Sequence, residues 1–262
     1  MHGTFLDYEE DATFAPDADT GLLVRTIELR GTNDDLFSAY VLKSRPGARP
    51  DGEWEGADQT FFLTFIEEGW VDIEIESLGH HRLIKGHLVH TQNGERHRMV
   101  ACSEDMQSLN IVSTSIVIDQ PKCATVQSYA DADWGDGLRT HVLYRDFAHI
   151  EKATGGVIGG HHGKIIKEAP KDNSKEPVQR WHQHDWTAQL FYIFGGWAEF
   201  DFGDVGVNPF KKGVFMVLPN GMPHAEVQRQ VGLETFEIVH PAQFGTAYVD
   251  EAELRERFNR EA

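Results

Sequence analysis

Cysteine is nearly absent from the chain: its 262 residues hold two, Cys102 and Cys123. Two thiols build neither a disulfide framework nor a thiolate zinc cluster, so both read as small core residues. Long apolar runs are also missing. None approaches the ~20 residues that a membrane-spanning helix needs, and the first residues show neither the basic stretch nor the apolar stretch of a secretory signal. A cytoplasmic protein with no membrane partner is the expectation. Positive charge is scarce, with 24 Lys and Arg against 42 Asp and Glu, for a formal net charge of −18. Such a field repels a nucleic-acid backbone and an anionic membrane surface, which argues against both as partners. Helical periodicity is the last absence. Its one exception is the tail, where Asp250 and Glu253 have capping-box spacing and Leu254 and Phe258 share a face.

What is present is a succession of short apolar runs punctuated by turn residues. Phe61–Ile66, Val71–Ile75, Ala39–Leu42 and Leu22–Val24 are rich in β-branched and aromatic residues, and several alternate at period two, which predicts strands. Residues 1–20 read as an acidic arm or edge extension. His161-His162-Gly163 reads as a loop before a strand over 164–168.

An internal repeat organises the rest. Trp181 lies 127 residues after Trp54, and the same ungapped offset pairs Gly69-Trp70 with Gly196-Trp197, Lys85-Gly86 with Lys212-Gly213, and Asn93-Gly94 with Asn220-Gly221. It also pairs His97 with His224. A shared pattern of this kind marks a duplicated β domain, with a connector near residues 120–135.

The second copy carries a candidate metal site. His182 and His184, two apart on a strand, project to the same side. Gln189 follows five residues on, and His224 arrives after a Pro219-Asn-Gly221 turn. Antiparallel strands bring these four side chains within reach of one divalent transition metal, and imidazole suits Zn, Fe, Mn or Ni. At the repeat offset the first copy has Glu55, Ala57, Phe62 and His97. An Ala and a Phe cannot ligate, so this copy is expected to have lost its metal and to buttress the other. His80, His81, His87 and His90 crowd the same half. They read as exposed or hydrogen-bonded histidines, the alternative being a differently built second site.

The two motifs, His182-Gln-His184 with Gln189 and Gly196, then Gly213 through Pro219-Asn-Gly221 to His224, resemble those of the cupin superfamily. The resemblance covers roughly residues 50–112 and 177–239. It implies an all-β chain of two tandem cupin barrels (double-stranded β-helix, or jelly-roll) with a short C-terminal helix. The N-terminal cupin, with its degenerate metal site, would take residues 1–125, and the metal-binding C-terminal cupin 126–262. Cupin sheets often pair between subunits, so a homodimer is expected. Many cupins have Glu where Gln189 stands, and Gln228 occupies a place where they often have Asn. The run from Gln189 to Gly196 is similar to that of small cupins that linearise unsaturated uronates.

A neutral amide leaves the metal with fuller positive charge, which favours Lewis-acid over redox chemistry. The expected function is therefore that of a metal-dependent enzyme of isomerase or lyase type. It would act on a small anionic or polar organic substrate, such as a sugar acid, keto acid or aromatic acid. Glu226 shares parity with His224 and is the candidate acid/base; Arg180 shares parity with His182 and is the candidate substrate anchor. Two alternatives stand beside this: a cupin dioxygenase of aromatic or diketone substrates, and a non-catalytic ligand-binding or sensor cupin.

Overall fold

A computed structural model describes residues 5–7, 13–17, 20–27, 36–50, 52–136, 141–168, 180–203, 206–254 and 256. The chain forms two compact units, one from residues 12–132 and 152–155, the other from the described residues of 1–11, 133–151 and 156–262. Both are built almost wholly of antiparallel strands.

In the first unit a seven-stranded sheet runs in the order Cys123–Gln127, Leu88–Gln92, Phe61–Glu68, Gln107–Ser113, Ser38–Lys43, Leu23–Ile27 and Ala15–Pro16. A three-stranded sheet of Gly79–Ile84, Trp70–Ile75 and His97–Cys102 accompanies it. The second unit repeats the plan. Its large sheet runs Phe5–Asp7, Phe215–Pro219, Ala188–Gly195, Glu234–His240, Gly159–Ile165, Val142–Asp146 and Trp134–Asp136. Its small sheet is Val207–Lys211, Trp197–Asp201 and Ala225–Arg229, and a two-stranded ribbon pairs His182–His184 with Thr246–Tyr248. The core of each unit draws residues from both of its sheets. Phe191, Ile193 and Met216 of the large sheet cluster with Ala198, Phe200 and Phe210 of the small one, and Ile66 and Val89 do so with Val71, Ile73 and Leu83.

The 127-residue offset holds at the level of strands. It superposes Phe61–Glu68 on Ala188–Gly195, Leu88–Gln92 on Phe215–Pro219 and Gln107–Ser113 on Glu234–His240. Even the irregularities repeat. The pairing register shifts between Gln107 and Ser108 in one unit and opposite Thr235 and Glu234 in the other. A second shift falls at Asp72/Ile73 and again at Glu199/Phe200. Bulges are structural features rather than defects, and these bend the strands of both units at the same points. The Gly-Trp turns have a steric cause. Gly69 and Gly196 have φ of 66° and 76°, a region that L side chains rarely adopt. A Cβ on Gly196 would lie 2.7 Å from Leu233 Cα, and one on Gly69 would lie 2.9 Å from Met106 Cα.

Three segments depart from the expectations. Phe5–Asp7, part of the expected arm, is an edge strand paired with Phe215–Val217. His161-His162-Gly163 lies inside the strand Gly159–Ile165 rather than in a loop. A helix, Ala148–Thr154, appears where no helical pattern is visible; two turns are too short for periodicity to register. In the tail, residues 251–254 are helical. Asp250 Oδ1 caps them, accepting from the backbone N–H of Ala252 at 2.8 Å and of Glu253 at 3.2 Å. Leu254 is buried, and Phe258 lies outside the described residues. Cys102 and Cys123 are unbridged and half-buried. Among the described residues no helix is long and apolar enough to cross a membrane.

Candidate metal centre

Backbone pairing brings the three histidines together. His182–His184 pairs on one side with Thr246–Tyr248. On the other, His182 and His224 form an isolated antiparallel bridge, each N–H donating to the other's carbonyl at 3.0 and 2.9 Å. Gly221 N–H donates to His184 O at 2.9 Å, fixing the Asn-Gly turn that delivers His224. Potential ligand atoms of His182, His184 and His224 all lie within 4.8 Å of one another. The ring centroids are 4.3–5.4 Å apart.

The rings are oriented for ligation through Nε2. His182 Nδ1 sits 2.7 Å from Arg180 O and His224 Nδ1 sits 3.1 Å from Met222 O. A carbonyl only accepts, so each Nδ1 carries the proton and each Nε2 keeps its lone pair. His184 Nδ1 is engaged by Thr246 Oγ1 at 2.8 Å. Burial pushes His184 down to about 4 and His224 down to about 3. The His182 imidazole adds to both shifts and the Glu237 carboxylate opposes them. Both rings are therefore neutral near pH 7, the state in which imidazole ligates.

A cavity of about 680 Å³ opens over the triad, and Gln189 also lines it. Gln189 comes from the central strand Ala188–Gly195 and is buried. Its Nε2 donates to Glu237 Oε2 at 2.7 Å, while its Oε1 is buried with no hydrogen-bond partner. An orphaned amide oxygen on a residue lining the cavity that also holds three imidazoles is a donor set that fits a divalent metal. Trp186 packs over His184 with ring centroids 3.9 Å apart, and Phe244 meets both rings at about 5 Å.

The other expected site residues are placed as follows. Glu226 is buried, lines the cavity and is ion-paired with buried Arg229, which in turn contacts His141. Arg180 is exposed, with its guanidinium 4.2 Å over the Tyr248 ring; it is not among the cavity-lining residues. Two functional candidates are new. Glu237 lies at inward parity with Thr235 and Val239 in Glu234–His240, and its only signal in the sequence is a charge inside an otherwise apolar run. His161 approaches Glu237 Oε1 at 3.4 Å and meets Tyr144 edge-on at 4.9 Å. The three glycines around His161 suggest a loop, whereas they allow close strand approach. A Cβ on Gly160 would lie 2.1 Å from Glu237 O, and one on Gly163 would lie 2.9 Å from Thr235 Oγ1.

In the first unit the equivalent bridge survives. Glu55 and His97 exchange backbone hydrogen bonds at 2.8 and 3.1 Å. Phe62, at the position equivalent to Gln189, stacks on His97 with centroids 4.0 Å apart and planes at 20°. Among the described residues His80, His81, His87 and His90 do not form a ligand cluster.

Two such units in tandem define a two-domain cupin fold. Solved structures share it. One of oxalate decarboxylase, from work on its substrate binding mode and a reaction specificity switch, matches with a TM-score of 0.65 at 12% identity over 98% of this chain and 84% of that one. Another, from work on the Mn(II) centres of the Bacillus subtilis enzyme, matches at 0.64 with the same identity and coverage. Protein YlbA from E. coli matches at 0.67 and 12% identity over 92% of each chain. No family model matches the sequence, and no curated protein matches it.

Proposed function

We propose that the second unit is a metal-dependent cupin enzyme acting on a small polar organic molecule by non-redox isomerase- or lyase-type chemistry. The observation that carries this reading is the gathering of three imidazoles within 4.8 Å of one another in a cavity that Gln189, with its orphaned amide oxygen, also lines. His182, His184 and His224 through nitrogen, and Gln189 through oxygen, would hold one divalent metal. Once bound, that metal supplies a Lewis acid for a substrate oxygen. All four donors are uncharged, so it keeps most of its positive charge.

The cavity wall bears on the substrate. Its described lining includes Asp146, Glu151, Glu226 and Glu237 and no Lys or Arg. Carboxylates accept hydrogen bonds from hydroxyl and amino groups, and no side-chain cation of the wall offsets a second negative charge. We therefore favour a hydroxylated monoacid, such as a sugar acid, over a dianion. Phe191, Phe200, Met216 and Leu218 give the remaining wall an apolar character that excludes water from the substrate's carbon face. Glu226, steadied by Arg229, is the residue we assign to proton transfer.

Metal analysis of the protein as purified, followed by a turnover screen of small hydroxy and keto acids, tests the proposal. The expected result is about one metal per chain and a turnover that survives exchange into Zn(II). Strict dependence on ferrous iron and dioxygen would sink the non-redox reading. For Glu226, the Glu226→Gln variant should lose turnover while keeping ligand binding.

A further inference from the structure

We propose that Glu237 is the positioning residue of this centre. Its carboxylate holds Gln189 so that the amide oxygen is presented as a ligand. The inference rests on the metal-binding reading above and goes beyond it, because it explains why an amide stands at this position.

An ionised carboxylate has only acceptor atoms, so the Gln189 atom 2.7 Å from Glu237 Oε2 is the amide nitrogen. That contact decides the amide orientation, which side-chain shape alone does not. It leaves Oε1 on the opposite side, buried and without a partner. The two residues are diagonal neighbours on paired strands, since Phe191 pairs with Glu237 and Gln189 with Val239. Such neighbours are within reach of each other's side chains. Glu237 is itself held. His161 Nε2 approaches its other oxygen at 3.4 Å, and the absence of a side chain on Gly160 lets the His161 strand lie close against the Glu237 backbone.

The first unit provides an internal control. There Gln189 is replaced by Phe62 and Glu237 by Asn110, whose Oδ1 instead accepts from Thr64 Oγ1 at 2.6 Å. The carboxylate is present where the amide is present and absent where it is absent. A glutamate at 189 would set two carboxylates at hydrogen-bond distance, where like charges disfavour joint ionisation. A ligating carboxylate at position 189 is thus disfavoured beside Glu237.

The test is a Mn(II) titration of the full-length, metal-stripped protein, read by the EPR signal of free ion and by the spectrum of bound ion. Glu237→Ala should weaken Mn(II) binding by about 10–100-fold, the range for partners of metal ligands, and alter the bound-ion spectrum. Glu237→Gln keeps the volume and covers the case in which the alanine variant misfolds, which a thermal melt detects. It should weaken binding in the wild-type background and strengthen it in the Gln189→Glu background. An effect of the same sign in both backgrounds overturns the proposal, as does Glu237→Ala binding Mn(II) with wild-type affinity and spectrum. Wild-type protein that binds neither Mn(II) nor Zn(II) overturns the metal centre itself, and this assignment with it.

Discussion

The two units share a frame and differ at one end of it. The same offset relates their central strands, two pairing-register shifts, a Gly-Trp turn and an isolated bridge, Glu55 to His97 in one and His182 to His224 in the other. The side chains on that bridge have parted. In the second unit it carries two imidazoles facing a cavity; in the first the surviving imidazole is stacked under Phe62. The frame is kept by backbone hydrogen bonds and by turn glycines, which are indifferent to what the bridge displays. The side chains on such a bridge can therefore change without loss of the fold, and in the first unit an aromatic ring covers the imidazole.

The largest effect should come from removing a ligand. His184→Ala and His224→Ala are expected to abolish metal retention, whereas His97→Ala in the first unit should leave metal content at the wild-type value. Metal per chain, measured after dialysis, checks all three. Loss of metal on changing His97 would break the asymmetry. Next, Phe62 is buried to 4% exposure, and truncating a buried Phe to Ala costs about 3–5 kcal/mol. Gln189→Ala in metal-free protein should cost only about 1 kcal/mol, the worth of a hydrogen bond. Urea unfolding of the two variants, side by side, measures the difference. Equal costs would mean that Phe62 does not carry the packing assigned to it.

A graft sharpens the comparison further. Glu55→His, Ala57→His and Phe62→Gln together should give the first unit a weak second site, raising metal content above that of the parent at millimolar Mn(II). Adding Asn110→Glu should tighten that site by roughly tenfold, at the low end of what partners of ligands contribute. No gain from Asn110→Glu would mean that the amide needs no carboxylate behind it.

The clustering of three histidines in the second unit is legible because their spacing is fixed by strand geometry: two residues apart for His182 and His184, and a turn of set length before His224. The repeat was legible because its glycines sit where φ must be positive. Glu237 and His161 were not, since each reaches the cavity through strand pairing that no local pattern records. Glu237 is a charge between apolar neighbours in a strand, and His161 is hidden among glycines whose role is close packing against Glu234–His240. The edge strand Phe5–Asp7 is of the same kind. Its partner lies over 200 residues away, and a segment of mixed, acidic composition gives no sign of it.

A further effect separates the units by pH. Burial pushes His97 down to about 4, with the nearby Glu95 opposing the shift. The unfolded chain protonates this residue near its ordinary value of about 6.5. Between those values the unfolded state binds a proton that the folded state refuses, so stability falls as pH drops through this window and is unaffected above it. The slope for one such group approaches about 1.4 kcal/mol per pH unit. His97→Gln should flatten the acid limb of the metal-free protein between pH 6.5 and 4 by that single-proton share. His149, His162, His184 and His224, also depressed by burial, should keep the remainder. Bound metal should steepen only the share belonging to the second unit, because protons compete with metal for its imidazoles. An NMR titration of His97 checks the premise, and a midpoint near 6.5 would show that the ring stacked under Phe62 is open to water after all.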